Sequence, residues 1–349
     1  MTLQLAALAA FGWQNSDTSQ LSTEEIETCQ PVRVIAVERS GLRIAGPGIE
    51  AEIPPLRTGD DEGTATVGDW LLLCGEPLRP RRLLARKSLL KRRAPGTGRQ
   101  IQLIAANVDV LFIVTSCNQD FNIARLERYL ALAREAGTTP VILLTKADLA
   151  GNADDYPGEA ERTLPGVFAL ALDARAPSAA AQLLPYWRAG QTAALVGSSG
   201  VGKSTLINTL LGREAIATGG IREDDAKGRH TTTSRALYRL ANGAWLVDTP
   251  GMRELQLADA EAGISAVFED IVALGRDCRF SDCRHESEPG CAVQAAIAAG
   301  ELDAARLQRW RKLHREEAHN SASLAERRAN DRRFGKMVKR VIAEKKQRE

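Results

Sequence analysis

Eight consecutive residues in the middle of the chain form a pattern that binds phosphate groups: Gly197, Ser198, Ser199, Gly200, Val201, Gly202, Lys203 and Ser204. Apolar residues precede and follow the pattern, which predicts a strand, a loop and a helix in that order. Its glycines let successive backbone N–H groups point at a β-phosphate, at the positive end of the helix. We expect Lys203 to contact the β- and γ-phosphates, Ser204 to bind Mg²⁺, and Thr205 to line the same site.

A second candidate is the acidic residue Asp248, which ends the apolar run 245–247 and begins the sequence Asp-Thr-Pro-Gly. A carboxylate that ends a buried strand beside a phosphate loop is suited to holding a hydrated Mg²⁺ ion. The backbone N–H of Gly251 is then expected to contact the γ-phosphate. So short a sequence could also be a surface turn. The position of Asp-Thr-Pro-Gly after the phosphate loop favours the nucleotide site instead.

A third candidate lies earlier in the chain, where an apolar run is followed by Thr145, Lys146, Ala147 and Asp148. These residues match the N/T-K-x-D pattern with which GTPases read guanine. A carboxylate at Asp148 accepts hydrogen bonds from N1–H and the 2-amino group of guanine, whereas adenine lacks that donor pair. Lys146 is expected to pack along the base. Together the three motifs predict that the protein binds GTP and GDP with Mg²⁺, and not ATP.

Two further residues concern the hydrolytic step. The segment 228–233 contains three consecutive threonines, and we expect Thr232 to bind Mg²⁺ through its hydroxyl and the γ-phosphate through its N–H. Met252 stands where many GTPases carry a glutamine that orients the attacking water. Methionine cannot do this, so another residue or a partner must. His230 is the candidate, and a solvent-facing loop histidine is the alternative.

The order of these motifs is unusual, because the base-reading sequence precedes the phosphate loop. In an ordinary GTPase the phosphate loop comes first, so the domain is predicted to be circularly permuted. This order and the Gly-Arg-His-Thr-Thr-Thr element resemble the RsgA/YjeQ family of small-subunit-dependent GTPases, over residues 31–320. The resemblance implies a GTPase that binds the small ribosomal subunit and its rRNA, acts late in its maturation, and is stimulated by that particle.

One segment departs from the family pattern. The family usually has a Ser-Ala-type element after the base-reading strand, and a backbone N–H there contacts guanine O6. Here the corresponding stretch, residues 167–173, reads Val-Phe-Ala-Leu-Ala-Leu-Asp. Because the contact is made by the backbone, Ala171 and Leu172 are its candidates.

Downstream, the spacing C-x4-C-x-H-x5-C is formed by Cys278, Cys283, His285 and Cys291. Three thiolates and one imidazole complete a tetrahedral set, which is typical of structural zinc rather than of a catalytic site with an open position. From the residues alone, a reduced cysteine cluster or a disulfide with one thiol left over are alternatives. The family resemblance implies one structural zinc ion in a C-terminal domain.

The elements that position these residues are predicted as an α/β fold with three domains. Closely spaced short strands with turn residues indicate a small β-barrel, and the pattern alone does not separate an OB-fold from an SH3-like barrel. The resemblance implies an OB-type barrel, followed by the permuted P-loop GTPase domain and a helical zinc-binding domain. The expected boundaries are 1–30 for an N-terminal extension with a linker at 15–19, 31–95 for the barrel, 100–260 for the GTPase domain, 261–320 for the zinc domain and 321–349 for a basic tail.

Charge is distributed unevenly although the formal net charge is only +2. Residues 77–108 contain no acid and carry a basic stripe: Arg79, Arg81, Arg82, Arg86, Lys87, Lys91, Arg92, Arg93 and Arg99. Such a stripe is expected to contact an RNA phosphate backbone, and a solvated charged face is the alternative. The tail is also basic and is expected to order on RNA, or else to be a flexible solubilising segment.

The remaining composition indicates a cytoplasmic protein. No apolar run approaches the ~20 residues of a membrane helix, and Cys29, Cys74 and Cys117 share no spacing, which favours a reducing compartment. A monomer without membrane contact is expected. Two functions of different class remain: a GTPase of small-subunit maturation, and a nucleotide-switched rRNA-binding module in which turnover is incidental.

Overall fold

The computed structural model of the chain describes residues 5–38, 40–56, 63–93, 101–212, 235–248 and 260–321. The chain divides into two compact units. The first contains Met1–Lys91, Leu103–Leu255 and Ala262–Val267, and the second contains Arg92–Gln102, Gln256–Glu261 and Phe268–Glu349. In the described part of the chain, no helix combines the length and the apolar character that crossing a lipid bilayer requires.

The N-terminal extension is a packed part of the first unit. Its helices are α1 (Leu5–Ala9), α2 (Asn15–Thr18) and α3 (Thr23–Thr28). The predicted linker at residues 15–19 is wrong, because this segment begins with a helical turn that is capped where the Gln14 N–H donates to Asp17 at 2.7 Å. Just before it, the ring of Trp13 packs edge-on against that of Trp70 at 4.8 Å.

Five short strands form the predicted barrel: β1 (Cys29–Val37), β2 (Leu42–Gly46), β3 (Ile49–Ile53), β4 (Trp70–Cys74) and β5 (Arg79–Leu83). Strand β1 pairs antiparallel with both β2 and β4, while β2 also pairs with β3 and β4 with β5. This pairing is that of an OB-type barrel, partly open between β3 and β5 in the described residues. Val34, Ile44 and Leu71 fill its interior and are fully buried.

Two of the barrel cysteines correct the prediction of scattered, unpaired thiols. Cys29 and Cys74 lie directly opposite each other on β1 and β4, with a Cα–Cα distance of 4.3 Å, and form a disulfide. Their 45-residue separation conceals this pairing in the sequence. Cys117 is a buried free cysteine, as expected for core packing.

A separate two-stranded sheet, β6 (Leu89–Arg93) with β7 (Ile101–Ala106), follows the barrel. The GTPase sheet then consists of β8 (Val110–Ser116), β9 (Thr139–Thr145), β10 (Phe168–Ala171), β11 (Thr192–Val196), β12 (Arg235–Arg239) and β13 (Trp245–Asp248). Its order is β10-β9-β8-β11-β13-β12, and only β12 is antiparallel to its neighbour here. The helices that accompany it are α4 (Ile123–Glu135), α5 (Asp155–Thr163), α6 (Ala179–Leu183), α7 (Lys203–Leu211) and α8 (Glu261–Val267).

The sheet shows the permutation directly. Strand β11, which leads into the phosphate loop, lies between β8 and β13, although β8 and β9 precede it in the sequence. Parallel strands covered by helices on both faces are apolar throughout, and every residue of β8 is buried. Phe112 of β8, Leu195 of β11 and Leu206 of α7 meet in the core beside Trp187.

The barrel and the GTPase domain share one continuous sheet. Strand β1 pairs antiparallel with β12 through Ala36 opposite Ala236 and Val37 opposite Arg235. Backbone pairing therefore joins β12 of the GTPase sheet directly to the first strand of the barrel.

The second unit is helical, as expected, with α9 (Glu269–Gly275), α10 (Ala292–Ala298) and α11 (Ala304–Ser321). Leu307 and Leu313 on α11 are buried. The Arg306 guanidinium packs over the Phe268 ring at 4.8 Å and binds Asp270 through both oxygens, at 2.7 and 2.9 Å. The basic tail beyond residue 321 lies outside the described residues.

Candidate functional site

The phosphate loop joins β11 to α7, as its sequence predicts. Gly197 has φ of +145°, and a Cβ atom at this position would lie 2.1 Å from the Val114 carbonyl oxygen. A side chain here would therefore push the loop away from β8. Gly202, which immediately precedes α7, has φ of +93°, a left-handed conformation that glycine adopts without strain.

Lys203 is folded into this loop. Its side chain is buried, and the ammonium group donates to the Gly197 carbonyl at 2.6 Å and also to the Ser198 carbonyl. These are the groups beside which nucleotide phosphates would lie. An ammonium held by neutral carbonyls can transfer its hydrogen bonds to phosphate oxygens, with which it interacts more strongly.

Two residues of α4 contact the same loop and were not found from the sequence. The Arg125 guanidinium donates to the Ser198 hydroxyl at 2.9 Å, and the Tyr129 phenol lies close to the same hydroxyl. Burial raises the pKa of Tyr129, so its phenol is neutral near pH 7. Both residues lie one helical turn apart on a helix that carries no nucleotide motif, so their role becomes visible only in the fold.

The base-reading motif follows β9 and contacts the phosphate loop. The Thr145 hydroxyl donates to the Val201 carbonyl at 2.5 Å, and Lys146 has φ of +59°. This left-handed residue turns the chain from β9 into a short 3₁₀ turn at Ala147–Leu149. The carboxylate of Asp148 lies in that turn with its side chain 26% exposed, and it pairs with Arg175 at 2.5 Å.

The loop after β10 corrects one expectation. The N–H of Leu172 donates to the Leu144 carbonyl at 2.9 Å, and the Leu172 carbonyl accepts from Ala147 at 3.4 Å. Leu172 is therefore part of the strand pairing, and its N–H does not contact guanine O6. Ala171 lies at the end of β10, opposite Leu144, and its contact with guanine O6 stays a prediction.

Asp248 ends β13, the neighbour of β11, and its side chain is half-buried. Its carboxylate thus follows the strand next to the one that leads into the phosphate loop. Ligands of open α/β sheets bind at the carboxyl ends of adjacent strands, and the phosphate loop, Asp148 and Asp248 all follow such ends. Thr232, His230 and the segment 249–251 lie outside the described residues.

The four candidate zinc ligands converge in the second unit. The ligand atoms of Cys278, Cys283, His285 and Cys291 all lie within 4.8 Å of one another. Nδ1 of His285 lies 3.5 Å from the sulfur atoms of both Cys278 and Cys291. Three sulfurs and one imidazole nitrogen at this spacing can hold a metal ion in a closed tetrahedral set.

The surroundings favour the metal-binding form of His285 and Cys278, whereas burial raises the pKa of Cys283 to about 11 in the absence of a metal. Burial, together with the nearby Arg311, lowers the pKa of His285 and favours the neutral imidazole that metals bind. Although burial opposes it, the N–H groups of Ala292 and Val293 lower the pKa of Cys278. The carbonyl of His285 accepts hydrogen bonds from Gln294 and Arg311, which fix the left-handed backbone of His285 at φ of +59°.

The basic stripe differs from its prediction. Arg86 binds both oxygens of Asp69, at 2.7 and 2.8 Å, and Lys87 pairs with Asp17 at 2.8 Å. Arg82 likewise binds both oxygens of Glu25. The interpretation as an open RNA-binding surface is therefore wrong for these three residues. Arg82 and Lys87 join the barrel region to the N-terminal extension, whereas Arg86 is paired within the barrel region. Two arginines on β5 remain exposed, Arg79 and Arg81.

Strand β11, which leads into the phosphate loop, lies between β8 and β13, and the base-reading strand β9 comes earlier in the sequence. This arrangement defines a circularly permuted P-loop GTPase. Two solved structures share this fold. The crystal structure of YjeQ from Thermotoga maritima has a TM-score of 0.59 and 22% identity and covers 82% of this chain and 97% of that one. The structure of YloQ, a circularly permuted GTPase, has a TM-score of 0.57 and 20% identity, with coverages of 86% and 96%.

Sequence comparison identifies the family. A profile of the RsgA GTPase family matches residues 83–258. A relative from Vibrio parahaemolyticus, small ribosomal subunit biogenesis GTPase RsgA 2, is 47% identical over 342 residues, covering 98% of this chain and 94% of that protein. The corresponding protein RsgA of Mesorhizobium japonicum is 51% identical over 327 residues, with coverages of 92% and 93%. This chain belongs to the RsgA GTPase family, and the protein is a GTPase.

Proposed function

We propose that this protein hydrolyses GTP during late maturation of the small ribosomal subunit in the cytoplasm, and that the particle stimulates hydrolysis. The observation that carries the proposal is the contact between two nucleotide motifs, in which the Thr145 hydroxyl donates to the Val201 carbonyl at 2.5 Å. This contact aligns the base-reading turn with the phosphate loop. Kinship with proteins named for small-subunit biogenesis supports the choice of particle.

In this proposal the residues have separate tasks. Backbone N–H groups of the loop 197–202 hold the phosphates, and Lys203 neutralises the β- and γ-phosphates. Ser204 and Asp248 would hold Mg²⁺, Ser204 with its hydroxyl and Asp248 with its carboxylate. Thr232 supplies a further Mg²⁺ contact, and His230 orients the attacking water in place of the missing glutamine. Mg²⁺ supplies charge stabilisation for phosphoryl transfer when it is bound.

Asp148 selects guanine because its carboxylate accepts from both N1–H and the 2-amino group. Replacement by asparagine exchanges one acceptor oxygen for a donor, and the 2-amino group of guanine then faces another donor. Asp148→Asn should therefore weaken GDP binding. It should also allow binding of xanthosine diphosphate, whose 2-oxo group accepts from the asparagine amide. This gain shows that the variant remains folded.

The zinc site supports a stable second unit, and the barrel supplies an RNA-facing surface. One zinc ion bound by Cys278, Cys283, His285 and Cys291 replaces part of the apolar core that so small a unit lacks. On the barrel, Arg79 and Arg81 of β5 are both exposed. With the basic tail, they are the proposed rRNA contacts of a monomeric protein.

The decisive experiment measures GTP turnover with no particle, with purified small subunits and with purified large subunits. Strong stimulation by the small subunit alone, lost in Lys203→Ala, supports the proposed GTPase. Equal turnover in all three conditions, combined with nucleotide-dependent binding to the small subunit, supports the second candidate instead. That candidate is a nucleotide-switched rRNA-binding module in which turnover is incidental.

A further inference from the structure

The carboxylate of Asp148 already has a cationic partner from its own chain. The Arg175 guanidinium lies in the loop after β10, with one terminal nitrogen 2.5 Å from the Asp148 carboxylate. Its Nε atom also approaches Asp173, at 3.5 Å. The Arg175 side chain is 66% exposed, so it can leave this position without disturbing the core.

The backbone around Arg175 is held in place. The Thr209 hydroxyl of α7 donates to the Ala174 carbonyl at 2.7 Å, and the N–H of Arg175 donates to Asp173 at 2.9 Å. Leu172 connects the same loop to the base-reading turn through its carbonyl, which accepts from Ala147. The loop thus keeps the base of the Arg175 side chain next to Asp148, and only the guanidinium has to move.

Guanine and a guanidinium present similar groups to a carboxylate, because each offers adjacent N–H donors in one plane. Asp148 needs both oxygens to accept N1–H and the 2-amino group, but Arg175 occupies one of them in the structure. We propose that Arg175 is an internal competitor of guanine, which lowers nucleotide affinity and speeds nucleotide release. The inference rests on the proposed base-reading role of Asp148.

The effect follows from the difference between the two states. The ion pair stabilises the empty site and must be given up when guanine binds, so it reduces affinity by its own net strength. An ion pair this exposed corresponds to about a two- to fivefold change in affinity. GDP and GTP are affected alike, because the competition takes place at the base. High ionic strength screens the pair and reduces the difference.

The test measures the affinity and dissociation rate of GDP with a fluorescent group on its ribose. Arg175→Ala should tighten binding about two- to fivefold and slow dissociation at low salt, with a smaller gain at high salt. Arg175→Lys should lie between it and the wild type, because an ammonium lacks the planar fork of arginine. The matched control is Arg188→Ala, which removes an exposed arginine elsewhere in the same unit and should behave as wild type.

A second arm separates this inference from the function on which it rests. Once Asp148→Asn has removed the shared carboxylate, adding Arg175→Ala should no longer tighten GDP binding. Wild-type GDP affinity in Asp148→Asn would refute the base-reading assignment itself. Suppose that Asp148→Asn weakens GDP binding and gains binding of xanthosine diphosphate, but Arg175→Ala does not tighten GDP binding. Only the competitor role of Arg175 is then overturned. If Arg175→Ala still tightens GDP binding in the Asp148→Asn variant, the competitor role is overturned as well.

Discussion

The guanidinium of Arg33, in the first barrel strand, donates a 2.6 Å hydrogen bond to the hydroxyl of Thr192, the first residue of the strand that leads into the phosphate loop. Both side chains are buried. The same guanidinium donates to the Phe11 carbonyl at 2.5 Å and lies 5.8 Å from the ring centres of Trp70 and Trp245. A single buried cation therefore connects the N-terminal extension, the barrel and the GTPase sheet.

Arg33 keeps its charge in this environment. Burial lowers its pKa to about 10, while the nearby carboxylates of Asp109, Asp17 and Asp69 oppose the change. A buried charge costs stability unless its donors are satisfied, and Nε of Arg33 has no hydrogen-bond partner among the described residues, so each acceptor of its other nitrogens matters for stability. The hydroxyl of Thr192 is the nearest side-chain acceptor.

Thr192→Val should reduce the free energy of unfolding of the first unit by about 1–3 kcal/mol, because a buried charged donor loses its acceptor while the side-chain shape is kept. Chemical denaturation measures this loss. The matched control is Thr139→Val, since Thr139 also begins a strand of the same sheet but is exposed. If the two variants lose equal stability, the Arg33–Thr192 hydrogen bond does not contribute as argued.

The second prediction concerns acid. The Arg82 guanidinium hydrogen-bonds to both oxygens of Glu25 and lowers the pKa of Glu25 from 4.5 to about 2, with the Ser22 N–H adding to the effect. Since the pKa is lower in the folded state, the stabilisation is fully present above pH 4.5. It should be lost progressively as the pH falls toward 2.

Glu25→Gln should lower the thermal midpoint at neutral pH and flatten its fall in acid, because glutamine has no proton to take up. Thermal unfolding followed at a series of acidic pH values measures both effects. Glu24→Gln changes an exposed residue of the same helix and should retain the acid response of the wild type. An unchanged slope in Glu25→Gln would show that this ion pair does not anchor the extension.

Local patterns predicted the parts of the structure that depend on neighbours in sequence. The glycines of the phosphate loop and the apolar strands before Asp148 and Asp248 occur as expected. The ligand spacing of the cysteine cluster also brings its four members together. Each of these features is set by steric or periodic requirements within about twenty residues.

The features that the sequence did not reveal depend on residues far apart. The acidic partners of Arg82, Arg86 and Lys87 lie outside the acid-free segment, so a local charge count could not show that these cations are paired. The polar segment 15–19 follows Trp13, whose ring packs on Trp70 of the barrel, and the polar residues of that segment cannot indicate this contact. Arg125 contacts Ser198, which lies 73 positions away in the sequence, so no local pattern indicates this contact either.

The third prediction tests the contact from α4 to the phosphate loop. Arg125→Ala should lower particle-stimulated turnover by about tenfold, because a charge-assisted hydrogen bond that positions Ser198 is lost. The effect should fall on kcat more than on KM if the loop is mispositioned for the reaction rather than for binding. Arg134→Ala on the same helix is exposed and serves as the control. Equal turnover in the two variants would exclude a positioning role for Arg125.

The last prediction concerns the metal. Cys291 is a candidate ligand and also caps α10, because its sulfur accepts the Gln294 N–H at 3.4 Å. Elemental analysis should find about one zinc ion per chain in the wild type, and Cys291→Ser should lose it. Without the metal, hydrogen bonds such as that from Gln294 to the His285 carbonyl still join α10 to the loop that precedes it, but the stronger coordinate bonds of the four ligands are lost.

Loss of zinc should therefore unfold the second unit and leave the first intact. Proteolysis should become rapid within residues 268–321, while the GDP affinity measured on the same sample stays within about twofold of wild type, because the nucleotide motifs belong to the other unit. A chelator should produce the same pattern in the wild type. The control is Cys117→Ser, which alters a buried cysteine of the GTPase sheet region and should keep its zinc. Full zinc occupancy in Cys291→Ser, or a protease-resistant second unit after metal removal, would disprove the structural role of the site.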